Sequence, residues 1–423
     1  MMRLPGRDPR LDEIRQRVHQ HLIDDLGSDL YDTRVTAAEQ RAKVLEKLRA
    51  ALQRERLSPG ERSQLQSDIG DDILGYGPIT RFIDDDEVTE VLVNPPQCDI
   101  WVERKGELER VTTVRFVDAA HVRRVIDKIV GEAGRRIDEA TPWVDARMTG
   151  GARVHATIPP ISPLGPVLSI RKFPHDPFRA RDLVRFGTFT QPVCDFLAAC
   201  VRGRLNIVVS GGAGSGKTTT LNVLSSFIPE SERIITIEDA KELQLDQDHV
   251  VSLEARLPNI EGRGEITIRD LFKNALRMRP DRILVGECRS GEAFDMLQAM
   301  NTGHDGSLTT VHANSPRDAL SRIETMTLMA GYDLPVRVIR EYMASALDLV
   351  AQLRRMPDRS RRLVAVSEVG ELTGGSVVVD DLFRFDYEAG QLVATGRQPA
   401  FVARLEDIGV TPDPDWFRPS TDL

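Results

Sequence analysis

Cysteine is scarce in this 423-residue chain: Cys98, Cys194, Cys200 and Cys288 are the four, and no two share a Cys-x-x-Cys spacing. That spacing excludes a cysteine zinc module and a disulfide framework, and leaves buried apolar thiols. Long apolar runs are missing too, so no segment reads as a membrane span. The polar start MMRLPGRDPRLDE lacks the apolar stretch of a signal peptide. The chain is therefore expected in the cytoplasm. Aromatics make up only 5% of residues, few for a base-stacking surface, and a net charge of −9 argues against a nucleic-acid coat. With 41% apolar and 29% charged residues, what is there is a globular chain long enough for two or three domains.

The texture changes along the chain. Leu11, Ile14, Val18, Leu22 and Leu26, then Val44, Leu48 and Leu52, then Leu65, Ile69 and Ile73 recur at helical spacing. Ser58, Pro59 and Glu61 form a capped helix start. These segments predict an N-terminal helical bundle over 1–75. Residues 76–173 read as a small α+β domain. Its strands are Val88–Val93, Ile100–Glu103, Glu107–Thr113, Arg153–Ile158 and Val167–Arg171, with a turn at Lys105 and Gly106 and a helix capped by Asp118. Pro174, Pro177 and several charges make 174–190 a linker. From 191 to 386 short apolar strands alternate with helices, as expected of an open α/β sheet buried on both faces. The polar tail 387–423 shows no chemistry.

Within that sheet, GGAGSGKT (211–218) fits GxxxxGK[ST] between a buried strand and a helix. Glycines let backbone N–H groups of Gly212, Ala213, Gly214, Ser215 and Gly216 turn toward phosphate oxygens, and the helix start at Thr218 and Thr219 adds its dipole. Lys217 can reach the β- and γ-phosphates, and the Thr218 hydroxyl can ligate Mg²⁺. A dinucleotide fingerprint is excluded, because Lys217 stands where the third glycine belongs. Two further strands end in acids, Glu238 (followed by Asp239) and Glu287. Transfer of a phosphoryl group to water needs a held Mg²⁺ and a carboxylate that orients the water, so Glu238 and Glu287 are candidates for both jobs. Downstream, MNTGHDGSLTTVHANS (300–315) carries His304 and His312 on either side of a hydroxyl-rich strand.

These residues resemble the secretion ATPase superfamily of type II and type IV secretion and type IV pili, most of all the CpaF-type ATPases of tight-adherence (Flp, type IVb) pili. The likeness runs from about residue 11 to beyond 400. It is carried by GRRIDE (134–139), VDAR (144–147), RVHATIPP (153–160), SIRKF (169–173), the phosphate loop, IED (237–239), NALRMRPD (274–281) and the histidine stretch. The resemblance implies a RecA-like ATPase domain, an Asp box at 237–239, a Walker B segment at Arg279–Glu287 and a His box at Thr302–His312. It implies ATP and Mg²⁺ as ligands, and His312, then His304, as γ-phosphate sensors. It also implies a homo-hexamer with shared sites, in which Arg147, Arg153 and Arg171 are the basic positions and Arg153 and Arg171 contact phosphate. An inner-membrane platform protein would tie the ring to the membrane. Cys288 and Ser290 depart from the family's GEVRGGE run, and the four-cysteine zinc module of many type II members is absent. Two other readings stand beside this one. One is a nucleic-acid motor using Arg354, Arg355, Arg359, Arg361 and Arg362 as a basic stripe. The other is a nucleotide-gated scaffold without turnover.

Overall fold

The computed structural model describes residues 9–26, 36–104, 106–173, 177–256, 258–259, 261–407 and 409–419. Lys105 of the expected turn and Pro174 of the expected linker lie outside these residues. The chain divides into two compact units, 1–175 and 176–423.

In the first unit, helices α1 (Pro9–Leu26), α2 (Ala37–Gln53) and α3 (Pro59–Leu74) turn their apolar stripes inward. Ile14, Val18, Leu22, Val44, Leu48, Leu52, Leu65 and Ile69 form the buried seam. Ser58 caps α3 as its sequence predicts: its hydroxyl accepts from the Glu61 N–H while the Glu61 carboxylate accepts from the Ser58 N–H. Thr36 and Glu39 do the same for α2. After a short helix α4 (Thr80–Ile83) come strands β1 (Val88–Asn94), β2 (Asp99–Arg104) and β3 (Glu107–Arg110), helix α5 (Ala119–Glu132), and strands β4 (Trp143–Arg147), β5 (Arg153–Thr157) and β6 (Val167–Arg171). Among the described residues they make an antiparallel sheet in the order β3-β2-β1-β6-β5-β4. Val122, Ile126 and Ile129 of α5 pack on Val91, Val154, Leu168 and Ile170 of the sheet. Strand β4 escapes sequence reading because it is an edge strand with one fully buried side chain, Val144.

Bundle and sheet share one unit because charged groups bridge them. Asp72 of α3 takes Arg15 Nη2 at 2.5 Å on one oxygen and His121 Nε2 of α5 at 3.2 Å on the other. Lys128 Nζ donates to the Gly75 carbonyl at 2.8 Å. Burial pushes the Asp72 carboxyl up, but the His121 hydrogen bond and the Arg15 and His121 charges outweigh it and hold the group below its ordinary value. A depressed carboxyl stabilises the fold above its unfolded pKa, and that contribution is lost as pH falls through the folded value. Asp72→Asn should therefore cost about 3 kcal/mol in urea unfolding of this unit at pH 7, since it strands a buried guanidinium. The difference from the unaltered protein should shrink below pH ~4, where acid removes the same charge. Equal urea midpoints at pH 7 would show that the cluster is not a fastening.

The second unit is a RecA-like α/β layer structure. It runs α6 (Ala180–Arg185), α7 (Gln191–Arg202), β7 (Ile207–Gly211), α8 (Lys217–Ser225), β8 (Ile234–Glu238), β9 (Val250–Glu254), α9 (Ile268–Ala275), β10 (Arg282–Val285), α10 (Glu292–Asn301), β11 (Leu308–Val311), α11 (Pro316–Met329) and α12 (Val336–Ala346). It ends with β12 (Leu349–Arg355), β13 (Arg361–Thr373), β14 (Ser376–Asp386), β15 (Gln391–Ala394) and α13 (Val402–Asp407). The sheet order is β15-β14-β13-β12-β7-β11-β10-β8-β9. Strands from β12 through β9 in that order run parallel, and β13, β14 and β15 add an antiparallel meander. Every residue of β7 is buried; Ile207 and Val209 face one helical layer and Val208 the other.

Two expectations are corrected here. The stretch expected as a linker, 174–190, contains α6, and its Leu183 and Phe189 are buried in the core of the second unit. Two prolines and several charges hid a short helix. The tail 387–423 is not set apart either: Leu392, Phe401, Leu405 and Phe417 are buried against α7, β13 and β14. Its apolar residues stand too far apart in sequence for periodicity to mark them.

Candidate functional site

Parallel pairing is what assembles the site. Strands β7, β11, β10 and β8 are neighbours and all point the same way, so the residues that follow them emerge along one edge. The phosphate loop, His312, Glu287 and Glu238 meet there although up to a hundred residues separate them in sequence.

Gly211 ends β7, and Lys217 begins α8. Between them Gly214 and Gly216 adopt φ of +66° and +94°, a region that a side chain makes costly. Ser215 is buried and its hydroxyl donates to the Gly212 carbonyl at 2.9 Å. Lys217 is buried too; its Nζ donates to the same carbonyl at 2.9 Å and lies 3.3 Å from His312 Nδ1. The ammonium is thus held inside the loop, beneath exposed Ala213 and Gly214, with Gly212, Thr218 and Thr219 half-buried around it. Backbone N–H groups at a helix start and one lysine form an anion cradle.

A chain of polar contacts leaves this cradle. His312 Nε2 meets Glu287 Oε1 at 2.8 Å, and Arg289 Nη2 meets Glu287 Oε2 at 2.5 Å. Arg289 Nη1 reaches Asp239 Oδ2 at 3.0 Å. Burial, aided by the Lys217 and Arg289 charges and opposed by Glu287, lowers the His312 pKa. The imidazole is accordingly neutral at pH 7, and its partners place the proton on Nε2: that nitrogen faces a carboxylate, and Nδ1 faces an ammonium. Thr310 Oγ1 anchors the turn by donating to the Gly286 carbonyl at 2.7 Å.

The two acids sit in different surroundings. The Glu287 side chain keeps 20% exposure. Glu238 is 3% exposed, and its Oε1 accepts from the N–H groups of Glu242 and Leu243, both at 2.9 Å. Burial pushes the Glu238 carboxyl up, partly offset by those two donors. Gly286 makes room for it, since a Cβ there would lie 2.9 Å from Glu238 Cγ.

Other expected residues lie elsewhere. His304 precedes β11 and His312 follows it, so the length of a strand separates them, roughly 13 Å at 3.3 Å per residue. His304 is at the edge of the sheet away from the phosphate loop. In the first unit, Arg147 is paired with Arg153 and Arg153 with Arg171 across β4, β5 and β6. Directly opposed strand residues share a face, so the three arginines stand in one row, which Glu90 continues opposite Arg171, and Arg147 Nε donates to the Gly151 carbonyl at 3.2 Å. The basic run at 354–362 is not one stripe: Arg354 bonds Tyr387 Oη, Arg361 the Gly214 carbonyl, and Arg362 the carbonyls of Phe186 and Gly187. Sequence reading passed over Arg289. Its signal was a cation two residues after a strand-ending acid.

The donor set fits a cation that arrives with phosphates. Among the described residues no group of three or more His, Cys, Asp or Glu side chains can hold a metal by itself. Mg²⁺ keeps its waters and takes few protein ligands when phosphates supply the rest, and Thr218 and Glu287 offer those oxygens.

The chain is 37% identical over 309 residues to a putative conjugal transfer protein of Mycobacterium tuberculosis (strain ATCC 25618 / H37Rv), covering 72% of this chain and 87% of that one. It is 31% identical over 324 residues to the type IV secretion system protein VirB11 of Bartonella henselae, covering 66% and 88%. Among solved structures it is similar to the VirB11 ATPase of the Brucella suis type IV secretion system in complex with sulphate, with 28% identity, 69% and 92% coverage and a TM-score of 0.38. It is also similar to the pilus retraction motor PilT with bound ADP, with 17% identity, 78% and 85% coverage and a TM-score of 0.48. The family described as Type II/IV secretion system protein matches residues 72–378, more than half of the sequence, and the chain belongs to that family.

Proposed function

We propose that the protein is a Mg-ATP hydrolase that powers tight-adherence (type IVb) pilus assembly or type II/IV protein secretion. The contact chain Lys217–His312–Glu287 at the mouth of the phosphate loop carries this reading. Loop N–H groups and Lys217 bind the β- and γ-phosphates, and Thr218 and Glu287 serve the accompanying Mg²⁺. Glu287, half-buried beside the loop, orients the attacking water. His312 lies between Lys217 and Glu287, so a γ-phosphate that draws Lys217 toward itself is felt at Glu287 through the imidazole. Glu238, spent on two backbone N–H groups, positions the 239–243 segment beside Arg289.

The row Arg147–Arg153–Arg171 supports a shared site, with Arg153 and Arg171 meeting the phosphates bound by another copy of the chain in a hexameric ring. Among the described residues no helix is long and apolar enough to cross a membrane. In this reading the ring attaches at the inner face of the cytoplasmic membrane through a platform protein. A conjugation-type type IV secretion role is a second reading, favoured by relatives that carry the names conjugal transfer protein and VirB11. The separate anchoring of Arg354, Arg361 and Arg362 argues against a nucleic-acid motor.

Specific ATPase activity measured across protein concentration, with oligomer mass determined in the same samples, tests the shared site. Activity per subunit should rise as hexamers form. A monomer that hydrolyses ATP at constant specific rate would make Arg153 and Arg171 structural residues.

A further inference from the structure

Strands β12 and β13 are joined by a tight turn whose ends, Arg355 and Arg361, are paired across the hairpin. The Met356 N–H donates to the Ser360 carbonyl at 2.8 Å, and Asp358 Oδ1 accepts from the Ser360 N–H and hydroxyl. The turn is thus internally closed. Its position is set by β12, which pairs with β7 up to Leu353 and Gly211, the residue where the phosphate loop begins.

From this braced end two consecutive residues reach in different directions, as neighbours on a strand do. Arg361 Nε donates to the Gly214 carbonyl at 3.1 Å, and its Cδ lies 3.3 Å from where a Cβ on Gly216 would sit. It therefore holds the phosphate loop at its exposed Gly214. Arg362 Nη1 donates to the Phe186 carbonyl at 3.0 Å and to that of Gly187. The next N–H, of Leu363, donates to the Thr188 carbonyl at 3.1 Å. Segment 186–188 closes the C-terminus of α6, where unpaired carbonyls favour a cation. Gly187 is at φ +69°, and a Cβ there would collide with the Arg362 guanidinium, so glycine is what admits this contact.

We propose that Arg361 and Arg362 form one positioning device: Arg361 holds the phosphate loop through Gly214, and Arg362 makes segment 186–188, on the path by which the chain enters the second unit, follow the state of that loop. The inference rests on reading the loop as a nucleotide site. If the two arginines only satisfied surface carbonyls, nucleotide would leave segment 186–188 unchanged.

The test uses the full chain, ADP titration calorimetry, and hydrogen exchange of peptides spanning 183–189 and 211–220 with and without ADP. In the unaltered protein ADP should slow exchange in both. Arg362→Met should bind ADP within about twofold of the unaltered protein, retaining protection at 211–220 and losing it at 183–189. Arg361→Met should weaken ADP binding by about fivefold, the size expected for loss of one hydrogen bond at an exposed site. Arg361→Lys, which keeps the charge but not the planar Nε–H, should weaken it in the same direction and guards against a folding defect in the methionine variant. ADP-dependent protection at 183–189 that persists in Arg362→Met overturns the proposal, as does ADP binding that leaves 183–189 unprotected in the unaltered protein. Unaltered protein that binds ADP no better than Lys217→Ala overturns the nucleotide reading, and this inference with it.

Discussion

Lys217→Ala should abolish ATP hydrolysis and weaken nucleotide binding by at least ~100-fold, since a charge-assisted contact to phosphate inside a closed cradle contributes on the order of 3 kcal/mol. The argument is geometric. Lys217 is buried, and its Nζ is tied to the Gly212 carbonyl of the loop. Alanine removes this buried charge from the cradle and leaves the phosphates to its N–H groups. It also removes one of the cations that lower the His312 pKa, so that pKa should rise in the variant and its proton NMR titration should move toward the ordinary histidine range. Calorimetric titration with ADP and a phosphate-release assay measure the main effect. Hydrolysis undisturbed by this substitution would refute the phosphate-loop assignment.

Glu287→Gln has the second largest expected effect and a different signature. Turnover should fall by roughly a hundredfold to ten-thousandfold, the range for loss of a positioned general base, while ADP affinity stays within about threefold. Glutamine preserves shape and can still accept from His312 Nε2, but it cannot draw a proton from water. Because Glu287 raises the His312 pKa against the larger effect of burial, the variant's imidazole should titrate at still lower pH than in the unaltered protein. For the unaltered enzyme the same direction predicts a rate that holds steady as pH falls to about 6.5 and declines only below it, as the imidazole takes up its proton. A variant with normal turnover would move the catalytic role to another acid, with Asp239 next along the contact chain.

Much of the chain was legible because its signals are local. The GxxxxGK[ST] pattern, the apolar strands around it and the capping residues of α3 each follow from neighbouring residues in sequence. Glu287 and His312 were legible as strand-end groups, and the parallel sheet brought them to within one hydrogen bond of each other. Strand β4, helix α6 and the packed tail were not, because each buries one to a few side chains and so leaves no periodic trace.

What the sequence by itself determined is the set of local conformations: which glycines bend the phosphate loop, where the helices start, and which strands are buried on both faces. Only the tertiary structure decided what those groups meet. It separated His304 from His312 by placing them at opposite ends of β11, and it aligned Arg147, Arg153 and Arg171 in one row. It gave Glu238 to backbone N–H groups and Glu287 to His312 and Arg289, and it recruited Arg361 to the loop's surroundings. The physical reason is that backbone propensity acts between residues a few positions apart. Hydrogen bonds and charges act through space, and their partners are fixed only when strand order and register bring distant segments together.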